Sequence, residues 1–227
     1  MEFPAYLDLS SPTETVRYFP EDHAPPPPQP PTVPPLSQRD PRWKNVLLGH
    51  SYYTIGSQGC ALLIASMACG MLPLELQDLL KPAGGFWRAN LNWVAIPQVV
   101  PGMAFDGITN WADRPADVAA VIAELAQHPT GLWIDYSPGG SQNSHFVLGL
   151  RYLEEFEDIE IIDPWDGAIV RLLSRYAITG WDLGRALYGM RPLYRVADTP
   201  AAMAAADFVA QSAEPQFDNF PEEYTGD

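Results

Sequence analysis

SHFVLGLRYLEEFEDIEIIDPWDG, residues 144–167, reads as two strands folded back on each other across an acidic turn. His145 to Leu153 is rich in aromatic and branched residues, EEFED reverses the chain, and Asp158 to Ile162 returns along it, so the pair is expected to be an antiparallel hairpin. Working outward, Leu132 to Tyr136, Ala168 to Leu172 and Ala186 to Val196 carry the same strand composition. The second half of the chain is therefore expected to be a mostly antiparallel sheet.

Upstream the pattern changes to helices. Cys60 to Met71, CALLIASMACGM, reads as a buried helix preceded by glycine. Leu74 to Leu80 and Ala89 to Val99 read as short helices, the second opened by Asn90 as a cap. Arg114 to Gln127 has proline in its first turn and Val118, Val121, Ile122 and Leu125 on one stripe, which predicts an amphipathic helix. Helices first and strands afterwards point to an α+β fold, not a doubly wound α/β sheet.

The 227 residues, 47% of them apolar, suffice for one sizeable core. Of 24 prolines, 12 fall within the first 41 residues, and APPPPQPPTVPP from Ala24 to Pro35 must be extended polyproline II. Three parts are expected: an acidic, proline-rich arm over 1–36, a body over 37–197, and a peripheral helix with an acidic tail over 198–227. The arm is either a free tail or a device that docks on its own body or on another chain. Net charge is −15, and the two appendages carry −11 of it, so the body is close to balanced. No run of lysines or arginines offers a phosphate-binding face, and nucleic acid is not an expected partner.

The longest apolar stretch, Ala61 to Leu74, is broken by Ser66, Gly70 and Pro73 and is too short to cross a bilayer. The N-terminus carries acids and prolines where a secretory signal needs a basic start and an apolar core. The default compartment is the cytoplasm, or a particle of which the chain is a part. Cys60 and Cys69, if on one helix, have Cα atoms roughly 13 Å apart and are beyond disulfide reach, so both are expected to be free thiols.

The chain has no glycine-rich phosphate loop, HExxH, GxSxG or CxxC, so neither a metal nor an organic cofactor is expected. What remains is a cysteine, a histidine and an aspartate. Cys60 stands in TIGSQGCALLIASM, where glycine-rich backbone turns into a helix. A thiol in a helix's first turn faces unpaired amides and the positive end of the dipole, which favours thiolate. The plainer reading of Cys60 is a small buried hydrophobe, which is also the reading of Cys69. His145 opens the strongest strand after the loop SPGGSQNS, whereas His23, His50 and His128 read as surface residues. Asp163, ending the return strand in IIDPWDG, can reach the imidazole and fix its tautomer, although it is also a standard turn residue and Asp166 competes for the role.

The order cysteine, strand-opening histidine, hairpin-closing aspartate is that of a papain-like hydrolase. SQRDPRWKNVLLG, TIGSQGCALLIASM, SHFVLGL and IIDPWDG together resemble the successive motifs of the bacteriocin-processing-peptidase-like family of papain-like cysteine peptidases, over about Ser37 to Arg195. The resemblance implies a papain-like fold, with a helical N-terminal half whose nucleophile helix packs on the sheet. It also implies a Cys60 nucleophile, a His145 general base and acid, and an Asp163 orienting residue, with no metal or cofactor. The family uses a glutamine ahead of the cysteine to bind the oxyanion. Here Gln38 is the candidate and Gln58 the rival, while Thr54 stands six before Cys60, where the compact papain pattern has the glutamine. Trp43, Trp87, Trp93 and Trp111 are read as packing residues, and Trp165, beside Asp163, as a groove residue.

These features imply a thiol-dependent hydrolase that cleaves a peptide or protein substrate through a thioacyl-enzyme. A close variant would cleave the peptide or amide bonds of bacterial cell wall. A different class of reading is a structural or docking component of a larger assembly, such as a phage particle, built on a peptidase-like fold.

Overall fold

The computed structural model describes residues 35–111, 115–135, 144–176 and 181–198. The proline arm up to residue 34, the acidic tail from residue 199, Arg114 at the expected start of a helix and the loop 136–143 ahead of His145 lie outside the described residues.

In chain order the elements are helix α1 (Ile55–Gln58), α2 (Cys60–Cys69), α3 (Pro73–Leu80), strands β1 (Phe86–Trp87) and β2 (Asn90–Leu91), and helix α4 (Ile96–Val99). There follow β3 (Met103–Phe105), β4 (Thr109–Asn110), α5 (Val118–Leu125), β5 (Thr130–Asp135), β6 (Ser144–Leu153), β7 (Asp158–Asp163) and β8 (Ala168–Arg171). The last are α6 (Leu172–Tyr176), α7 (Leu183–Ala186), β9 (Leu187–Arg191) and β10 (Leu193–Arg195). The molecule is mixed helix and strand, and all its strand pairs are antiparallel among the described residues, which is the expected α+β class.

The main sheet has six strands in the order β4-β9-β5-β6-β7-β8. The β6–β7 hairpin pairs Leu153 with Asp158 at the turn and Leu148 with Ile162 further on, with a register shift between Gly149 and Arg151. Both faces of the sheet are covered. Leu148, Leu150 and Ile162 join the core built with α2 and α3, while Val147, Ile159 and Ile161 join a second core with Val121 and Leu125 of α5 and Leu172 of α6. A strand buried on both faces reads as a continuous apolar run, which is why VLGL shows no alternation.

Several expectations change. Asn90 pairs in the small β1–β2 hairpin and does not cap a helix, so the helix expected over 89–99 is a hairpin strand, a 3-10 turn at Trp93–Ala95 and the single turn α4. The first half, with β1 to β4, is less helical than expected. α5 begins at Val118, because the Asp117 carboxylate caps the Ala120 amide, and Pro115 lies ahead of the first turn. The strand expected over 186–196 is two. Pro192 has no amide to donate, and the chain leaves the main sheet there to form β10 against β3. Leu36, assigned to the arm by composition, is 5% exposed in the core, with its amide on the Met67 sulfur at 3.4 Å.

Among the described residues no single helix is long and apolar enough to cross a membrane. The pair α2 and α3 reaches the required hydropathy only together, across a bend of 98°.

Candidate active site

Cys60 owes its position to two short helices in series. α1 follows Thr54, whose amide donates to the Ser57 hydroxyl at 3.0 Å, and it ends on Gly59. A Cβ on Gly59 would stand 2.4 Å from the Ile55 carbonyl oxygen, so only glycine lets α2 start directly behind α1. Cys60 is thereby the first residue of α2, half-buried, in the turn where amides have no partner within the helix. At the far end α2 stops on Gly70 in the left-handed conformation, φ +63°.

The β6–β7 hairpin delivers the other two groups. Asp163 follows the Leu148–Ile162 pair by one residue, and His145 lies diagonally across from it. The His145 imidazole Nε2 and Asp163 Oδ1 are 3.0 Å apart. The imidazole also hydrogen-bonds the Cys60 thiol, which leaves Nδ1 for the sulfur. The main-chain amides of Phe146 and Ala61 near the sulfur favour its thiolate form as well.

Asp163 is fully buried and held by four donors. Besides His145, the Trp165 amide donates to Oδ1 at 2.9 Å, and Arg175 Nε and the Tyr176 hydroxyl donate to Oδ2 at 3.0 and 2.6 Å. Burial alone would raise its pKa, but the hydrogen bonds from His145, Tyr176 and the Trp165 amide outweigh burial and hold the carboxyl at about 2. Burial likewise disfavours the imidazolium, yet the bonds to Asp163 and Cys60 raise His145 to about 9. For Cys60 burial raises the thiol pKa, and the His145 hydrogen bond and charge with the two amides bring the net shift downward. Each shift favours a thiolate beside an imidazolium, in line with a carboxylate. Such a group can attack a carbonyl carbon and return a proton to the leaving group.

Asp166 is not the imidazole's partner. Its Oδ2 receives Arg175 Nη2 at 2.6 Å and its Oδ1 caps the Ala168 amide, so it supports the same arginine from outside. Gln38 is buried between α1 and the turn after Asp163. Its side-chain Nε2 donates to the Ile55 carbonyl at 3.0 Å, and its main-chain amide donates to the Pro164 carbonyl at 2.6 Å. One N–H of that side-chain amide is thus occupied, and the buried Oε1 has no hydrogen-bond donor. Gln58, at the end of α1, is exposed.

Arg175 and Tyr176 carry no signal in the sequence. They reach Asp163 because α6 folds back from β8, and RLLSRY has no feature that marks a site. Trp43, Trp93 and Trp111 are buried as expected, but Trp87 is 68% exposed. Trp165 is partly exposed with the Arg39 guanidinium 3.4 Å over its ring, and both border a groove of about 500 Å³ together with Lys44, Thr54, Gly56 and Ser57. The surface reading of His128 is also wrong: it is buried and stacked on Tyr194 with ring centroids 3.8 Å apart. His50 is exposed, and His23 lies outside the described residues.

No family model, no curated protein and no solved structure matches the chain.

Proposed function

We propose that the chain is a cysteine peptidase-like hydrolase of papain-like fold that cleaves peptide bonds through Cys60, His145 and Asp163. The observation that carries this reading is the hydrogen-bonded line from thiol to imidazole to a carboxylate held by three further donors. Buried structural histidines need one partner, not a charge-stabilising carboxylate on one side and a cysteine at a helix start on the other.

In this reading Cys60 thiolate attacks the scissile carbonyl, and amides of the first turn of α2 and the spare N–H of Gln38 receive the oxyanion. The imidazolium of His145 protonates the leaving amine, and the imidazole then activates the water that releases the acyl group. Asp163 is the positioning residue that keeps the imidazolium charged. The groove by Trp165 and Arg39 lies against α1 and the turn after Asp163, which makes it the natural path for substrate. Resemblance to the bacteriocin-processing-peptidase-like family supports the same roles.

The test is incubation of the full chain with a peptide library, and separately with soluble cell-wall muropeptides, with products read by mass spectrometry. Cleavage should be lost in Cys60→Ala, and a peptide chloromethyl ketone should add one mass equivalent at Cys60. The pH profile should be bell-shaped. Its acid limb rises as the Cys60 thiol, lowered from its ordinary value, ionises; its alkaline limb falls near 9, where His145 loses the proton the leaving group needs. Absence of both product and adduct would remove the hydrolase reading and favour an assembly component.

A further inference from the structure

Away from the thiol, three segments bring a second set of donors together. Asp106 follows β3, Glu124 lies in the last turn of α5, and His128 follows that helix four residues on. Their ligand atoms all lie within 4.8 Å of one another. We propose that Asp106, Glu124 and His128 bind one divalent transition-metal ion of the zinc type, which ties the end of α5 to the β3–β10 ribbon.

The first argument is the state of the imidazole and the glutamate. His128 is 6% exposed, and its Nε2 lies 3.1 Å from Glu124 Oε1. That approach does not have hydrogen-bond geometry: Oε1 is buried and receives no hydrogen bond. On the other side of the ring, the Thr130 hydroxyl lies 3.4 Å from both Nδ1 and the His128 carbonyl oxygen. A hydroxyl that donates to the carbonyl accepts from Nδ1–H, which turns the bare lone pair of Nε2 toward the carboxylates. A bare imidazole nitrogen 3.1 Å from a carboxylate oxygen needs a proton or a metal cation shared between them, and the absence of hydrogen-bond geometry leaves room for the metal.

The second argument is geometric. Two donors each about 2.0–2.2 Å from one zinc ion stand roughly 3–3.5 Å apart, and Nε2 and Oε1 are at 3.1 Å. The supporting layer is also present. The Tyr194 hydroxyl donates to Asp106 Oδ2 at 2.9 Å, and its ring stacks on His128, so one residue orients two of the three donors. One imidazole and two carboxylates neutralise a divalent ion, and the exposed Asp106 leaves a side open to water as a fourth ligand. Glu124 and His128 stand four apart in ELAQH at the end of α5, and Asp106 is brought to them by topology.

Binding is measured on the untagged full chain carrying Cys60→Ala, which removes the thiolate that would compete for zinc beside His145. Zinc alone is titrated against a chromophoric chelator, and cobalt is added separately to read its visible d–d absorption. One equivalent should bind, and Asp106→Asn and Glu124→Gln should each weaken binding by about tenfold or more with an unchanged circular dichroism spectrum. His128→Ala should abolish the cobalt band. No bound equivalent at ~100 µM free zinc, or affinity unchanged in both Asp106→Asn and Glu124→Gln, would overturn the site. Neither outcome depends on whether Cys60 is a nucleophile.

Discussion

Cys60 and Cys69 open and close the same helix, and the fold drives their thiols in opposite directions. Cys69 is wholly buried; burial pushes its thiol up to about 12 even though Arg195, which donates to the Cys69 carbonyl, brings a positive charge near. Cys60 is also penalised by burial, but the His145 imidazole and two amides overcome the penalty and its pKa falls. Helix position contributes in the same sense, since the dipole favours a thiolate at the N-terminus and disfavours it at the C-terminus. The lesson is that a positive charge nearby is insufficient. Arg195 bonds the Cys69 backbone, whereas His145 bonds the Cys60 sulfur itself.

The contrast can be broken most decisively by alkylation. At pH 7 a thiol titrating near 12 is thiolate in about one molecule in a hundred thousand, so iodoacetamide should label Cys60 at least a thousandfold faster than Cys69, read by peptide mass spectrometry. Equal slow labelling would end the comparison. The next largest effect is expected at Asp163, which stabilises the imidazolium and so indirectly the thiolate. Asp163→Asn should lower kcat/KM about a hundredfold or more and shift the acid limb of Cys60 labelling to higher pH. An unshifted labelling profile would mean that His145 holds its proton without Asp163.

A smaller effect sharpens the oxyanion assignment. Gln38→Ala should lower kcat by about tenfold to a hundredfold while leaving iodoacetamide labelling of Cys60 unchanged, and Gln58→Ala should alter neither. Equal losses in both would remove Gln38 from the site. Smallest is Cys69→Ala, which takes a buried sulfur from the core. It should cost about 1 kcal/mol and lower Tm by roughly 2–4 °C with kcat intact, checked by calorimetry and by turnover.

Much of this was legible before the structure, and the reasons are local. The β6–β7 hairpin and α2 were readable because their residues are contiguous and their boundaries are marked by EEFED and by glycine. Cys60, His145 and Asp163 were found together because helix start, strand start and strand end are positions that sequence encodes. The misreadings have a common cause. Asn90 reads as a cap by its own type, but the partner that makes it a strand residue is Trp87, across a turn where Arg88 adopts φ +58°. Ala186 to Val196 reads as one strand because composition cannot show which neighbour each half pairs with, and β9 and β10 lie in different sheets. His128 reads as exposed from sequence because the ring that covers it, Tyr194, comes from the far end of the body. Arg175 and Tyr176 are silent for the same reason: their meaning arises only when α6 meets Asp163.

One stitch near the start of the body has a further consequence for how the site comes into being. The Ser37 hydroxyl donates to the Trp165 carbonyl across 128 positions, and the Gln38 amide donates to Pro164 beside it. These two bonds are among the longest-range hydrogen bonds of the described residues, and they close the segment before α1 onto the turn after Asp163. Contacts of such separation form late in folding, because chain entropy is lost before they give anything back. During synthesis Cys60 emerges well before its imidazole and carboxylate partners. On the proposed reading the nascent chain carries an ordinary thiol, and the arrangement of Cys60, His145 and Asp163 exists only once the segment around Ser37, α2 and the β6–β7 hairpin have met.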